Sequence, residues 1–201
     1  MLASISPVGE ATRRQRWSIT VSAYLLASAM GGALIGGLLG TLGAVAGTAS
    51  LSRSWALGTI GLAALGGAAI DAGWLPIRLP SWRRQVDERW LTTYRGWVYG
   101  GGYGLQLGAA VMTIVTSAIT YAALLAALVV GSSRGGATIG LLFGVVRALP
   151  LLSTVRLRSP QRLRRFHARV EAAARPAELM TIAVQVIVAT VAGTLAVASS
   201  T

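Results

Sequence analysis

Long uncharged stretches alternate with short arginine-rich segments along this chain. The longest of them, residues 96–133, contains no charged side chain. A helix needs about 20 apolar residues to cross a bilayer core about 30 Å thick. The pattern therefore predicts an all-α polytopic membrane protein with one helical membrane domain over residues 17–198. Its five predicted spans cover about residues 17–48, 54–76, 97–131, 135–155 and 178–198.

The distribution of charge predicts the orientation of these spans. All 18 basic residues are arginine, and the net charge is +12. With five spans, three arginine-rich segments share one side of the membrane: residues 1–16 with three arginines, 77–95 with five and 156–176 with seven. The loops on the opposite side have only Arg53 and Arg134. Because arginine-rich loops stay in the cytoplasm, we expect a plasma (inner) membrane protein with a cytoplasmic N-terminus and an external C-terminus.

The two longer arginine-rich linkers also contain apolar residues at helical spacing. This spacing predicts two cytoplasmic interfacial helices, the second ended by Pro176, that bind anionic lipid. Their apolar faces, together with an aromatic belt that continues into the third span, consist of Trp82, Val86, Trp90, Tyr94, Trp97, Tyr99, Tyr103, Leu163, Phe166 and Val170. Because the charges are confined to segments between apolar runs, we expect no nucleic-acid partner.

Glycines at intervals of four residues predict close packing of helix backbones. One such set lies in the first span and another in the fourth: Gly32, Gly36, Gly40, Gly136, Gly140 and Gly144. The denser group at residues 100–104 is interpreted instead as an irregular or kinked entry to the third span.

Polar residues inside the predicted spans are candidates for a substrate cavity. Asp71 lies near the end of the second span, and Arg147 precedes Pro150 in the fourth, at a depth where the two charges could pair. The remaining candidates form a polar stripe in the third span: Gln106, Thr113, Thr116, Ser117, Thr120 and Tyr121. The alternative is that the charged side chains reach the headgroups and the hydroxyls bond their own helix carbonyls.

The order of features from Trp74 onward resembles the membrane domain of the DsbD/CcdA thiol–disulfide carriers. The resemblance rests on two Leu-Pro pairs, at residues 75–76 and 79–80, on the small and hydroxyl residues of 108–130, and on the Leu-Pro-Leu of 149–151. It implies a transporter-like bundle that lacks the family's first span and works with a redox or cytochrome c maturation partner. The chain has no cysteine, so it cannot perform the family's thiol chemistry itself.

Two functions remain open on this evidence. The first is a small carrier or permease, or a membrane protein associated with redox maturation. The alternative is a non-transporting subunit or assembly factor that binds partner helices and anionic lipid. One histidine, no cysteine and no clustered carboxylates lead us to expect no enzyme activity, no metal and no cofactor.

Overall fold

The computed structural model describes residues 5–77, 79, 89–110, 117–157 and 159–200, and every regular element among them is helical. The all-α class is therefore confirmed. The helices are α1 (Pro7–Thr12), α2 (Trp17–Val45), α3 (Arg53–Asp71), α4 (Trp90–Thr93), α5 (Gly96–Ala109), α6 (Ile119–Val129), α7 (Ser133–Ala148) and α8 (Pro160–Ala198). Thr48–Ser50 and Leu149–Arg156 form 3₁₀ helices.

Four helical segments of the described chain are long and apolar enough to cross a membrane. They are Trp17–Val45, Arg53–Asp71, Ser133–Val155 and Arg164–Ala198. Four of the helices follow a serine whose side chain accepts a backbone N–H of the first turn: Ser6, Ser52, Ser132 and Ser159. These hydroxyls satisfy one of the amides that a helix start leaves without a partner.

The continuous helix expected over residues 97–131 is not formed. The helix α5 has 14 residues and ends before Ala110, which adopts a left-handed conformation with φ of 57°. The next helix, α6, begins at Ile119 and has 11 residues. A left-handed residue cannot continue a right-handed helix, and neither piece reaches the length of a full crossing.

The last helix is longer than expected. Pro176 was predicted to end an interfacial helix, but it lies inside α8, which has 39 residues. A proline removes one backbone hydrogen bond, and the helix continues on both sides of it. The arginine-rich segment and the last apolar segment therefore form one continuous helix.

The aromatic belt expected at the membrane surface is partly buried. Tyr99 and Tyr103 are 0% and 3% exposed, and the Trp90 ring stacks on Tyr103 with centroids 6.1 Å apart. Gly102 permits this contact, since a methyl group there would lie 2.6 Å from the Trp90 ring. Trp82 and Val86, also assigned to this surface, lie outside the described residues.

The helices α2 and α7 contact each other through their glycines. A methyl group on Gly140 would overlap the carbonyl oxygen of Gly32, and one on Gly32 would overlap the carbonyl of Gly140. Gly36 and Gly136 are related in the same reciprocal way. Because no side chain separates the two backbones, van der Waals contact runs along the whole interface.

A second glycine row packs α5 on another side of α2. Gly100, Gly104 and Gly108 face the backbone carbonyls of Thr20, Tyr24 and Ser28. The interpretation of residues 100–104 as an irregular entry is therefore wrong, since they are helical and follow the four-residue spacing. The helices α2, α5 and α7 together are called the three-helix unit below.

The remaining long helices, α3 and α8, form a separate packing pair, called the α3/α8 pair below. At Gly61 a methyl group would lie 3.4 Å from the carbonyl oxygen of Ala189 and 3.5 Å from the Ala192 side chain, which are ordinary contacts. Among the described helices, α6 is the main bridge, because it packs against α3, α2 and α7.

Candidate polar site at the junction of α3, α6 and α8

The carboxylate of Asp71 connects three helices. It is the last residue of α3, and it accepts hydrogen bonds from the Ser117 hydroxyl at 2.6 Å and the Ala118 backbone N–H at 2.9 Å. The side-chain amide of Gln185 in α8 donates a third bond to it at 3.0 Å. Residues distant in sequence therefore meet at one half-buried carboxylate.

Asp71 supplies a cap that α6 lacks in its own sequence. The residue before this helix is Ala118, which has no side-chain acceptor. The carboxylate of Asp71 accepts the Ala118 N–H, while the Ser117 oxygen accepts the Ile119 N–H at 3.2 Å. A negative charge is favourable here, since the N-terminus of a helix carries a partial positive charge.

Gln185 is buried at this junction, with 1% of its surface exposed. Its Nε2 donates to Asp71, but its Oε1 has no hydrogen-bond partner among the residues that the structure describes. The α3 backbone lies close to it, since a methyl group on Gly67 would come within 3.3 Å of Nε2. Sequence reasoning did not select Gln185, although it is the only amide side chain within the predicted span 178–198.

The predicted pairing of Asp71 with Arg147 is not found. All the bonds described for Asp71 come from neutral donors, two in the turn before α6 and one in α8, and it makes no salt bridge within the described chain. Arg147 lies on α7 instead, with its guanidinium 5.5 Å from the centre of the Phe143 ring and within electrostatic reach of Tyr24 in α2.

The predicted hydroxyl stripe is only partly traceable. Thr113 and Thr116 lie outside the described residues, and Ser117 precedes α6 rather than belonging to a long helix. Thr120 is buried in α6 and Tyr121 is half-buried there. Gln106 is half-buried on α5, and Pro150 is exposed in the 3₁₀ helix that follows α7. The structure thus brings together Asp71 and Ser117 of the predicted set.

A second polar cluster attaches the N-terminal segment to the three-helix unit. Glu10 is 0% exposed, and it accepts hydrogen bonds from Tyr99 at 2.5 Å, Thr20 at 2.7 Å and Arg13 at 2.8 Å. Burial alone would lower the pKa of Arg13, but its hydrogen bonds to Glu10 and Tyr99 outweigh burial and raise it. Every carboxylate oxygen has a partner, so this cluster is a structural attachment. No motif in the sequence marks Glu10.

The fold and the junction define a class: a small all-helical protein whose apolar helices are compatible with a membrane location and enclose a polar contact. Two relatives, both named methylamine utilization protein MauF, are similar to this chain. The relative from Paracoccus versutus is 29% identical over 151 residues, which are 75% of this chain and 55% of the relative. The relative from Paracoccus denitrificans is 31% identical over 135 residues, 67% and 48% of the two chains.

These comparisons correct the resemblance drawn from the sequence. The relatives are MauF proteins rather than DsbD/CcdA carriers, so the thiol–disulfide and cytochrome c biogenesis assignment was wrong. Leu-Pro pairs and small residues recur in many membrane helices, and without the family's cysteines they are not diagnostic.

The chain spans about half the length of the curated relatives it matches. No family model matches the chain, and no solved structure matches it.

Proposed function

We propose that this protein is an integral membrane protein of carrier type that serves methylamine utilization. Its functional centre is the junction of α3, α6 and α8. The observation that carries the proposal is the Asp71 carboxylate, which lies at the end of an apolar helix with neutral donors as its described partners. Ionisable groups inside membrane helices are costly and usually mark a substrate or ion pathway. The names of the two relatives support the metabolic role.

The arrangement of helices supports a carrier mechanism. Carriers commonly move one group of helices against another around a fixed central site. Here the three-helix unit is held by backbone contacts, and the α3/α8 pair joins it mainly through α6. Asp71 and Gln185 lie where the pair meets α6, so a movement of the pair would open or close the site.

The proposed topology has five crossings with the N-terminus in the cytoplasm. The helices α2, α3, α7 and α8 each make one crossing, and α5 and α6 together make the third. Backbone that departs from a helix at membrane depth is tolerated where it is buried in protein or lines a cavity. The arginine-rich segments then lie at the cytoplasmic surface, where anionic lipids attract them.

Growth of the source organism on methylamine tests the proposal. We expect a strain lacking the gene to fail with methylamine as its nitrogen source and to grow normally with ammonium. Asp71→Asn should not restore growth, whereas the matched change Glu178→Gln on the exposed part of α8 should restore it. Immunoblots of membranes would verify equal amounts of each variant. Full restoration by Asp71→Asn would contradict a functional role for the junction.

A non-transporting membrane subunit is the second candidate, and one surface favours it. The side of α2 that faces away from α5 and α7 exposes large apolar residues every four positions: Leu26, Met30, Leu34, Leu38 and Leu42. Such a row can pack against a partner helix as well as against lipid. Recovery of a stable complex in mild detergent, lost when Leu34 and Leu38 are replaced by alanine, would favour this candidate over the carrier.

A further inference from the structure

We infer that the junction of α3, α6 and α8 binds a small primary ammonium cation, held by Asp71 Oδ1, Ser117 Oγ and Gln185 Oε1. The inference rests on the proposed function, because it names the substrate class of the same site. It follows from two independent features of the junction, its uncompensated charge and its unused hydrogen-bond acceptors.

Among the described residues, no positively charged group pairs with Asp71. Its described partners are a hydroxyl, a backbone amide and a side-chain amide, all of them neutral. It is also the last residue of α3, and the C-terminus of a helix carries a partial negative charge. The N-terminus of α6 offsets only about half a charge. A monovalent cation at this point would complete the neutralisation.

The acceptors at the junction match the donors of a primary ammonium group. An ionised carboxylate offers about four acceptor positions, and Asp71 Oδ1 receives only the Ala118 N–H. The Ser117 oxygen donates to Asp71 and receives the Ile119 N–H, which leaves one lone pair. Gln185 Oε1 is buried and has no partner in the described part of the chain. These three oxygens correspond to the three N–H donors of an R–NH₃⁺ group.

The orientation of Gln185 supports this assignment. If the amide were turned over, its oxygen would face the Asp71 carboxylate, which repels it, so Nε2 must be the atom that bonds the acid. A buried amide oxygen without a partner destabilises a folded protein, and native structures contain few such groups. Because Gln185 is 1% exposed, the cation enters when α8 moves away from α6, the movement that a carrier requires.

The surroundings favour an ammonium ion over a metal ion. Within the described residues no group of three or more metal-binding side chains occurs, and Asp71 is the only carboxylate of the junction. Ala118, 4% exposed beside Asp71, provides an apolar contact suited to a short alkyl group. A quaternary ammonium ion has no N–H donor and should not bind.

Thermal unfolding of the purified full-length protein in mild detergent tests the inference. Methylammonium chloride is the probe, and tetramethylammonium chloride and sodium chloride at equal ionic strength are the controls. We expect only methylammonium to raise the unfolding temperature, in a saturable way. Both Asp71→Asn and Gln185→Leu should weaken its binding by about tenfold or more, as expected for the loss of a hydrogen bond to a charged group. Gln161→Leu, at an exposed position in the first turn of α8, is the matched control and should leave binding unchanged.

Each alternative outcome overturns the inference. An equal rise of the unfolding temperature with sodium would identify an alkali-ion site. An equal rise with tetramethylammonium would show that binding does not depend on N–H donors. Unchanged affinity in Gln185→Leu would contradict the site even if Asp71→Asn did not fold. The growth experiment described above is independent of these measurements. A protein required for growth that binds no methylammonium refutes the site alone, and one that binds it without being required refutes the metabolic role alone.

Discussion

The three-helix unit and the α3/α8 pair both contain glycines in their helices, but these glycines pack in different ways. In the first, glycines of α2, α5 and α7 lie against backbone carbonyls, and an added methyl group at Gly32, Gly104 or Gly140 would overlap them. In the second, Gly58 and Gly66 of α3 have nothing within 4 Å of the position of a methyl group. The difference teaches that glycines bring two backbones together only where they lie in register against a neighbouring helix.

The two regions also use polar groups differently. The three-helix unit is joined to the N-terminal segment by Glu10, whose two carboxylate oxygens both accept hydrogen bonds, one of them from the cationic Arg13. At the α3/α8 pair, the described donors to the Asp71 carboxylate are all neutral, and the neighbouring Gln185 Oε1 has no partner among the described residues. The first carboxylate is therefore paired with a charge inside the described chain, and the second is not.

The largest effect should come from adding a methyl group inside the three-helix unit. Gly104→Ala would overlap the Tyr24 carbonyl, and because a backbone cannot move without separating the helices, we expect a loss of about 3 kcal/mol or more of unfolding free energy. Gly101→Ala on the same helix, which has open space, is the control and should not destabilise. Unfolding in mixed detergent micelles measures both. Equal stability of the two variants would remove the distinction between the regions.

A smaller loss is expected at the attachment of the N-terminal segment. Glu10→Gln removes the charge that Tyr99, Thr20 and Arg13 surround, so we expect a loss of about 2 kcal/mol. The matched change is Glu178→Gln, since Glu178 is exposed on α8, and it should have no measurable effect. The same unfolding assay applies. A Glu10→Gln variant with unchanged stability would show that the Glu10 carboxylate does not hold the N-terminal segment in place.

The α3/α8 pair should respond more weakly and more locally. Asp71→Ala removes the cap of α6, with an expected cost of about 1 kcal/mol. Hydrogen exchange of the amides at residues 118 and 119 should accelerate, while exchange in α7 should not change. Ser54→Ala, which breaks the exposed 3.0 Å contact with Ser199 at the other end of the pair, is the control. Faster exchange throughout the protein would mean that Asp71 stabilises more than this junction.

The smallest change, and one of opposite sign, should occur at Gly66. Nothing contacts this position, and alanine favours a helix over glycine by about 1 kcal/mol, so Gly66→Ala should stabilise the protein slightly. The measurement is the same unfolding titration, with Gly104→Ala as the contrasting variant. A destabilised Gly66→Ala would imply that the α3/α8 pair also depends on close backbone contact.

Much of the fold follows from local patterns in the sequence. Uncharged runs indicated where α2, α3 and α7 lie, and apolar residues at helical spacing predicted a helix in the arginine-rich segment that forms the first part of α8. The division between α5 and α6 could not be predicted, because Ala110 is a good helix former and nothing in its type requires a left-handed conformation. The row of Gly100, Gly104 and Gly108 could have been found, since it has the spacing that was recognised in α2.

Only part of the candidate site could be predicted from the sequence. Asp71 stands out as the lone acid of an apolar run, and Ser117 belongs to a visible row of hydroxyls. Their meeting with Gln185 depends on how α3, α6 and α8 pack, and that packing leaves no periodic signal in any one of them. Arg147 attracted attention because opposite charges at similar depth suggest a pair, but similar depth does not place two residues on facing helices.

The continuity of α8 through Pro176 has a mechanical consequence. The helix has 39 residues and is therefore about 58 Å long, roughly twice the thickness of a bilayer core. Gln185 lies some 25 residues from its first turn, about 38 Å along the axis. A tilt of about 10° around Gln185 would move the arginine-bearing tip sideways by about 7 Å. In a helix of this length, a small change of angle at one amide is thus accompanied by a much larger displacement of the distant charged end.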